Sequence, residues 1–281
     1  MRFVINSLVA PELSRSWLLV NPIELEANSK LDYHLADQVI VDLEDAIPEE
    51  LKDTARAHVV NGLNHRNFWV RINNVTSSEW THDVETLKNH PRLSGVILAK
   101  TESADDVQMT FDAFAGEVAV IPLVESALGI ERATEIALAD GAFRLAFGSG
   151  DYRRDTGASN DDLAMSYPRS RLMISSRVAG LPNPIDGPTI TSDPKQVGSA
   201  CAAAATVGMT GKLCLNLNDL QTINEQFSPT QEDLSWAAAF LSRSSSKDGA
   251  VIDGSYPPQR ARAQKILQLA RAYGLTRADT A

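Results

Sequence analysis

Asp42-Leu43-Glu44-Asp45 places three carboxylates within four residues, directly after the apolar run Val39-Ile40-Val41. Carboxylates this close repel one another in a dry interior, so the segment needs a cation, an arginine, backbone N–H groups or water beside it. Glu125 and Asp151 also follow apolar runs, in Pro122-Leu123-Val124-Glu125-Ser126 and Phe147-Gly148-Ser149-Gly150-Asp151. Two carboxylates with open positions suit Mg²⁺, which keeps waters and shares its coordination sphere with a substrate oxyanion. Acids at these places also cap the helices that follow strands. Arg71 supplies a fixed guanidinium that could hold a carboxylate or a developing oxyanion bidentately, or pair with Glu44 or Asp45. Lys100 raises a rival chemistry, a Schiff base, which needs a desolvated neutral amine. Glu102 and the other acids oppose that by keeping the amine protonated.

Other chemistries lack their residues. The five histidines, His34, His58, His65, His82 and His90, all fall away from the ends of the apolar runs. A zinc or manganese site built on imidazole, or a Ser-His-Asp triad, therefore has no support. No Gly-x-Gly-x-x-Gly follows a first strand, and there is no P-loop. Cys201 and Cys214 have no ligand spacing and read as buried reduced thiols of a cytoplasmic protein.

These residues must be brought together by the elements that carry them. Eight apolar runs have strand character: Ser16–Val20, Gln38–Leu43, Phe68–Ile72, Gly95–Ala99, Val118–Val124, Arg144–Phe147, Ile185–Ile190 and Lys212–Leu215. Helical patterns alternate with them. Pro48-Glu49-Glu50-Leu51-Lys52 opens one with proline and acids in its first turn, and others cover Glu102–Phe114, Gly129–Ala139, Asp161–Val178 and the segment from Asp193 through Ala205. Such alternation implies a parallel sheet, and eight units in 281 residues fit a closed (β/α)₈ TIM barrel. In that fold the residues just past the strands converge on one mouth: Asn21, Glu44 and Asp45, Arg71 and Asn73, Lys100, Glu125, Asp151, Asp186 and Asn216. We expect the barrel to occupy residues 1–225 and a C-terminal helical extension or lid residues 226–281, with helices over Pro229–Leu241 and Pro257–Tyr273. Between those helices, the serine-rich Ser242–Gly249 reads as a hinge. A formal charge of −10 without a basic block argues against a nucleic-acid partner, and no apolar run is long enough to span a membrane.

At these residues the chain resembles the citrate lyase β-subunit-like branch of the HpcH/HpaI aldolase family. The likeness runs nearly end to end. It rests on Arg15-Ser16-Trp17-Leu18, Val41-Asp42-Leu43-Glu44-Asp45-Ala46, Val70-Arg71-Ile72-Asn73, Lys100-Thr101-Glu102-Ser103, Pro122-Leu123-Val124-Glu125-Ser126, Gly148 with Asp151, Ser170-Arg171-Leu172, Gly208 to Lys212, and Phe227-Ser228-Pro229. The order and spacing of these pieces carry the specificity. The resemblance implies a TIM barrel, homotrimeric or a multiple of that, with Mg²⁺ on Glu125 and Asp151. It implies reversible carbon–carbon cleavage of a 3-hydroxyacyl-CoA thioester that releases or takes up a keto acid. Arg15, Arg71, Lys100 and Glu125 would then bind substrate, and Glu44, Asp45 and Arg71 would serve the chemistry. In the family an aspartate from a neighbouring subunit's C-terminal segment can complete the mouth; here Tyr256 stands where it would fall, and either Asp253, beside Gly254 and ahead of Pro257-Pro258, takes its place or the acid is lost.

Three departures from the family pattern fall at Val20-Asn21-Pro22, Gly150-Asp151 and Asn216-Leu217, and they touch the thioester end of the pocket more than the metal end. Competing readings are an aldolase on free 2-keto acids, a thioester hydrolase on the same scaffold, and a catalytically weakened barrel that binds a CoA ester.

Overall fold

The computed structural model describes residues 9–23, 33–191, 193–245 and 254–275. Eight parallel strands, β1 Ser16–Val20, β2 Gln38–Asp42, β3 Phe68–Ile72, β4 Leu93–Leu98, β5 Val120–Val124, β6 Ala146–Phe147, β7 Ile185–Asp186 and β8 Gly211–Cys214, close in sequence order into a barrel. Registers such as Ile40↔Trp69 and Leu18↔Cys214 set the stagger, the latter closing β8 onto β1. Each strand overlaps an expected apolar run. The seventh is far shorter than expected. Pro184 and Pro188 bracket Ile185–Asp186 and remove the N–H groups that would extend its ladder.

The helices are α1 Lys52–Leu63, α2 Ser78–Leu87, α3 Ala104–Ala113, α4 Ala127–Glu131, α5 Ala133–Leu138, α6 Ser149–Thr156, α7 Asp162–Val178, α8 Pro194–Thr206, α9 Leu220–Gln226, α10 Gln231–Ser245 and α11 Tyr256–Ala272. Side chains stop the strand and start the helix in several units. Ser77, Asp161 and Asp193 each accept a first-turn N–H, and Ser103 forms a reciprocal capping box with Asp106. Two expectations change. The helix expected over 129–139 breaks at Arg132 into α4 and α5. The hinge expected from Ser242 does not begin there, because α10 continues through Ser245.

Strand alternation sorts the core into two layers. Trp17, Ile40, Trp69, Ile97, Ile121, Leu123, Ala146, Ile185 and Leu213 fill the barrel interior. Leu18, Val41, Val70, Leu98, Val124 and their neighbours face outward against the helices. The interior is closed at its N-terminal base by Arg144, which is fully buried. Its guanidinium donates to the carbonyl oxygens of Asn183 (2.7 Å), Pro11 (3.0 Å) and Ser14 (2.9 Å) and to Thr210 Oγ1 (3.1 Å). Burial among neutral acceptors pushes its pKa down to about 10. The C-terminal helices α10 and α11 build a small core of their own on Ala237, Ala263 and Ile266. They are tied to the same base, where the Tyr273 hydroxyl donates to Leu13 O at 2.8 Å.

Gly95 is the tightest point inside the barrel. A Cβ there would sit 2.1 Å from Cζ3 of Trp69, a ring itself held edge-on by Trp17 at 5.4 Å and stacked on Phe143 at 5.7 Å. Gly95→Ala should therefore lower stability by about 3 kcal/mol through overpacking, read as a lower midpoint in urea. Trp69→Leu in the same chain should return part of that loss; a Gly95→Ala protein as stable as the wild type would contradict the packing.

Candidate active site

The strand ends meet where the barrel predicts. β2 ends in Asp42 and turns into Glu44 and Asp45, β3 carries Arg71, β4 runs into Lys100, β5 into Glu125, and Gly148 after β6 opens the first turn of α6 with Asp151. The odd residues of β2, Val39 and Val41, face the helices, so Asp42 follows Gln38 and Ile40 into the barrel interior.

Arg71 is the centre of one half. Its Nε donates to Asp42 Oδ1 at 2.7 Å and its Nη2 to Asp42 Oδ2 at 2.6 Å. The remaining Nη1 stands 3.2 Å from Glu44 Oε2. The planar edge expected to grip a substrate carboxylate is thus closed on Asp42, and the Arg71 partners are Asp42 and Glu44 rather than Asp45. Lys100 is the centre of the other half. Its Nζ donates to Glu44 Oε1 and, at 2.9 Å, to Asp45 Oδ1, while its main-chain N–H donates to Glu125 Oε1 at 2.7 Å. Its φ of 49° lies in the left-handed region, a conformation that costs about 1 kcal/mol outside glycine and is held here by contacts at both ends of the residue. Burial works against the ammonium, but Glu44 and Asp45 outweigh it and raise the Lys100 pKa, which removes the neutral amine a Schiff base needs.

Burial raises the Glu44 pKa against the opposing charge of Arg71, and the hydrogen bond to Asp45 raises it further. At Asp45 burial is outweighed by that same hydrogen bond and by Lys100, so its pKa is lowered. Glu125 is buried, and desolvation, with the charges of Asp151 and Glu44 adding to it, lifts its pKa to about 8 against the Lys100 N–H and Arg71. Gly148 is a glycine for this carboxylate: a Cβ there would lie 2.2 Å from Glu125 Oε2. Glu125, Asp151 and Lys100 line a cleft of about 660 Å³ together with Asn74, Glu102 and Arg132. Asp151 Oδ1 is 3.2 Å from Nη2 of the largely exposed Arg154. No group of three or more His, Cys, Asp or Glu side chains among the described residues closes on one point. The donors available to a cation are the carboxylates of buried Glu125 and part-buried Asp151 on the wall of the cleft, and with Glu125 deprotonated these hard oxygens fit a divalent ion that keeps its waters.

Several expected site residues lie elsewhere. Arg15 precedes β1 and so sits at the base of the barrel, not the mouth. Asp37 Oδ2 accepts from its Nε and main-chain N, both at 2.8 Å, Asp37 Oδ1 from its Nη2 at 2.9 Å, and the guanidinium covers the Tyr273 ring at 4.0 Å. Asp186 follows the inward Ile185 and therefore points out to the helices, where Arg169 (2.9 Å) and Lys212 (2.7 Å) pair with it. Burial pushes its pKa up, but Lys212 and Arg169 outweigh it and hold it low. Asn216 caps the turn after β8, accepting from Asn218 N at 3.0 Å. Asp253 lies outside the described residues.

A model of the HpcH/HpaI aldolase/citrate lyase family matches residues 19–217, and one of the HpcH/HpaI aldolase C-terminal domain matches residues 232–274. The chain belongs to the HpcH/HpaI aldolase/citrate lyase family. A citrate lyase subunit beta-like protein of Deinococcus radiodurans is 28% identical over 245 residues, covering 82% of this chain and 86% of that protein. The mitochondrial citramalyl-CoA lyase of Rattus norvegicus is 30% identical over 268 residues, covering 83% of this chain and 79% of that protein. Among solved structures, CitE from Mycobacterium tuberculosis in complex with magnesium, acetoacetate and coenzyme A matches with a TM-score of 0.76 at 26% identity, over 94% of this chain and 99% of that one. The pairing of Arg71 with Asp42 is a finding of the geometry.

The raised Glu125 pKa has a stability consequence. Between its ordinary value of 4.5 and the folded value of about 8, the folded chain holds a proton that the unfolded chain has lost. The contribution is fully present below 4.5 and is lost as pH rises through about 8. In metal-free buffer the wild type should lose a few kcal/mol across that window, and Glu125→Gln should flatten the loss, as read by urea midpoints at pH 5 and pH 8.5. Parallel pH profiles for the two proteins would show that Glu125 is ionised throughout.

Proposed function

We propose that this enzyme, a carbon–carbon lyase by family, is Mg²⁺-dependent and cleaves or forms a 3-hydroxyacyl thioester of the citryl-CoA or malyl-CoA kind with a 2-keto acid. The observation that supports the reading most is the division of the mouth. One side, Glu125 and Asp151, offers open oxygens; the other, Asp42, Glu44, Asp45, Arg71 and Lys100, is a closed network of acids and cations. Magnesium held by Glu125 and Asp151 would supply Lewis-acid polarisation of the keto-acid oxygens. Arg71, rigidly locked on Asp42, presents a fixed positive charge where negative charge develops on oxygen. Lys100 stays charged and adds a second cation to the keto-acid end. Glu44, whose pKa burial raises, takes or gives the proton, with Asp45 and Lys100 steadying both of its states.

The relatives support the substrate class in their own names. A citrate lyase beta subunit of M. tuberculosis, 26% identical with a TM-score of 0.67 over 78% of this chain and 99% of that one, is complexed with oxaloacetate and magnesium. Glu125 and Asp151 are the residues this reading assigns to the metal, and the departures at Asn21 and Asn216 leave the acyl group open to assay. A homo-oligomer, trimeric or a multiple, is part of the same reading.

A thermal-shift screen with oxaloacetate, glyoxylate, pyruvate, acetyl-CoA and free CoA, each with and without Mg²⁺, tests it. A keto acid should raise the melting temperature by about 5 °C at roughly a hundred times its Kd, and only with Mg²⁺ present. Glu125→Ala and Asp151→Ala should each abolish that shift while leaving the fold intact. Stabilisation by CoA alone, with no keto-acid effect, would make the chain a CoA-ester-binding module.

Arg71→Lys should cut kcat nearly as far as Arg71→Ala, because an ammonium cannot reproduce the planar fork that gives Asp42 two parallel donations while a third nitrogen faces Glu44. A lysine variant that keeps most of its turnover would reduce Arg71 to a point charge.

A further inference from the structure

Lys52 is a buried cation that the chemistry above does not use. It opens α1, and its Nζ donates to Leu43 O at 2.6 Å, Glu44 O at 2.8 Å and Asn73 Oδ1 at 3.1 Å. All three acceptors are neutral. A buried ammonium is costly without a counter-charge beside it, so a lysine here needs a return. The two carbonyls it holds belong to the peptide units on either side of the Glu44 Cα. Fixing both oxygens from one side fixes the two peptide planes, and with them the direction of the Glu44 Cα–Cβ bond.

The remaining groups of this turn are held as well. Glu44 N donates to Asp42 Oδ1 at 3.0 Å, and Leu43 N to Arg71 O at 2.9 Å. Asn73 Nδ2 donates to Leu43 O at 3.0 Å and to Asp83 Oδ2 at 2.7 Å, and Asp83 in turn pairs with Arg56 at 2.8 Å. A continuous polar chain thus runs from Arg56 on α1, through Asp83 on α2 and Asn73 after β3, back to Lys52 and the Glu44 turn. On the other side of that turn the Glu44 carboxylate, only 3% exposed, spans Arg71 Nη1 and Lys100 Nζ.

We propose that Lys52 is a positioning residue for Glu44: from behind the turn it fixes the two peptide planes that aim the Glu44 carboxylate between Arg71 and Lys100. Its effect on turnover rests on the reading above, in which Glu44 handles the proton; its effect on geometry does not. Arg71 lies on β3, Glu125 follows β5 and Asp151 lies on α6, and Lys52 donates to none of them.

The test pairs kinetics with a structure. Lys52→Met keeps the length of the side chain and loses all three donations. Its kcat should fall about 100-fold, the loss typical of a group displaced by about an ångström, with KM for the keto acid changed less than about threefold. In a Glu44→Gln background the same substitution should cost less than about threefold more, because Lys52 acts through Glu44. Lys52→Gln, which keeps one donation, should fold if the methionine variant does not and should fall between it and the wild type. Crystal structures of the wild type and a folded variant read the position directly: the Glu44 carboxylate should leave its place between Arg71 and Lys100. A Glu44 carboxylate unmoved in the variant overturns the proposal whether or not turnover is measurable. A kcat loss fully additive with Glu44→Gln overturns it too. A wild type without lyase turnover would overturn the functional reading alone, because the crystallographic comparison stands apart from it.

Discussion

Like charge crowded into a small, partly dry mouth is the constraint on which the rest depends. Asp42, Glu44, Asp45 and Glu125 would repel one another at this spacing in a low dielectric. The chain answers by sharing its cations: Arg71 serves Asp42 and Glu44, and Lys100 serves Glu44 and Asp45. Glu44 belongs to both pairs, so it is the group through which the two halves are coupled. The parallel barrel is what makes the sharing possible, because consecutive strands β2, β3 and β4 deliver acid, arginine and lysine to the same mouth.

The two ends of the barrel treat buried charge in opposite ways. At the base, Arg144 is surrounded by fixed carbonyl oxygens and a hydroxyl, and Arg15 is saturated by Asp37. Nothing there is left to react, and the contacts tie the entry to β1, the start of β6 and Tyr273 of the C-terminal segment into one closure. At the mouth burial lifts the Glu125 pKa to about 8, with the charges of Asp151 and Glu44 adding to it against the Lys100 N–H and Arg71. The difference follows the usual division of this fold, with stability at the N-terminal end of the strands and chemistry at the C-terminal end.

Much of this was legible in the residues. The eight apolar runs gave the strands and their order, and the acids and bases just past them gave the mouth. What failed was polarity and parity. Arg15 sits in a family-like stretch, but it precedes its strand, and in a parallel barrel that alone places it at the base. Asp186 is one step beyond an inward Ile185, so alternation sends it to the helices. Both rules were available before any coordinates. Lys52 was not legible in the same way. From sequence it is a charged residue in the first turn of an amphipathic helix. Only the three-dimensional return of α1 against the β2 turn brings its ammonium onto two main-chain oxygens.

The closing of Arg71 on Asp42 changes how the proposed chemistry must be understood. A free guanidinium edge would recognise a substrate by shape, taking two carboxylate oxygens at once and rejecting ligands that offer only one. A guanidinium already engaged along that edge recognises mainly charge, and its position is set by the protein rather than by the ligand. Preorganised in this way, it does not have to move as negative charge builds on oxygen, which is the condition under which a buried cation lowers a barrier most. Shape selectivity for the keto acid then falls to the side where the oxygens remain open, at Glu125 and Asp151. That side is also where the protein carries its removable proton. A cation bound there would compete with the Glu125 proton for the same oxygens, so it would add its charge to those of Arg71 and Lys100 only as that proton departs.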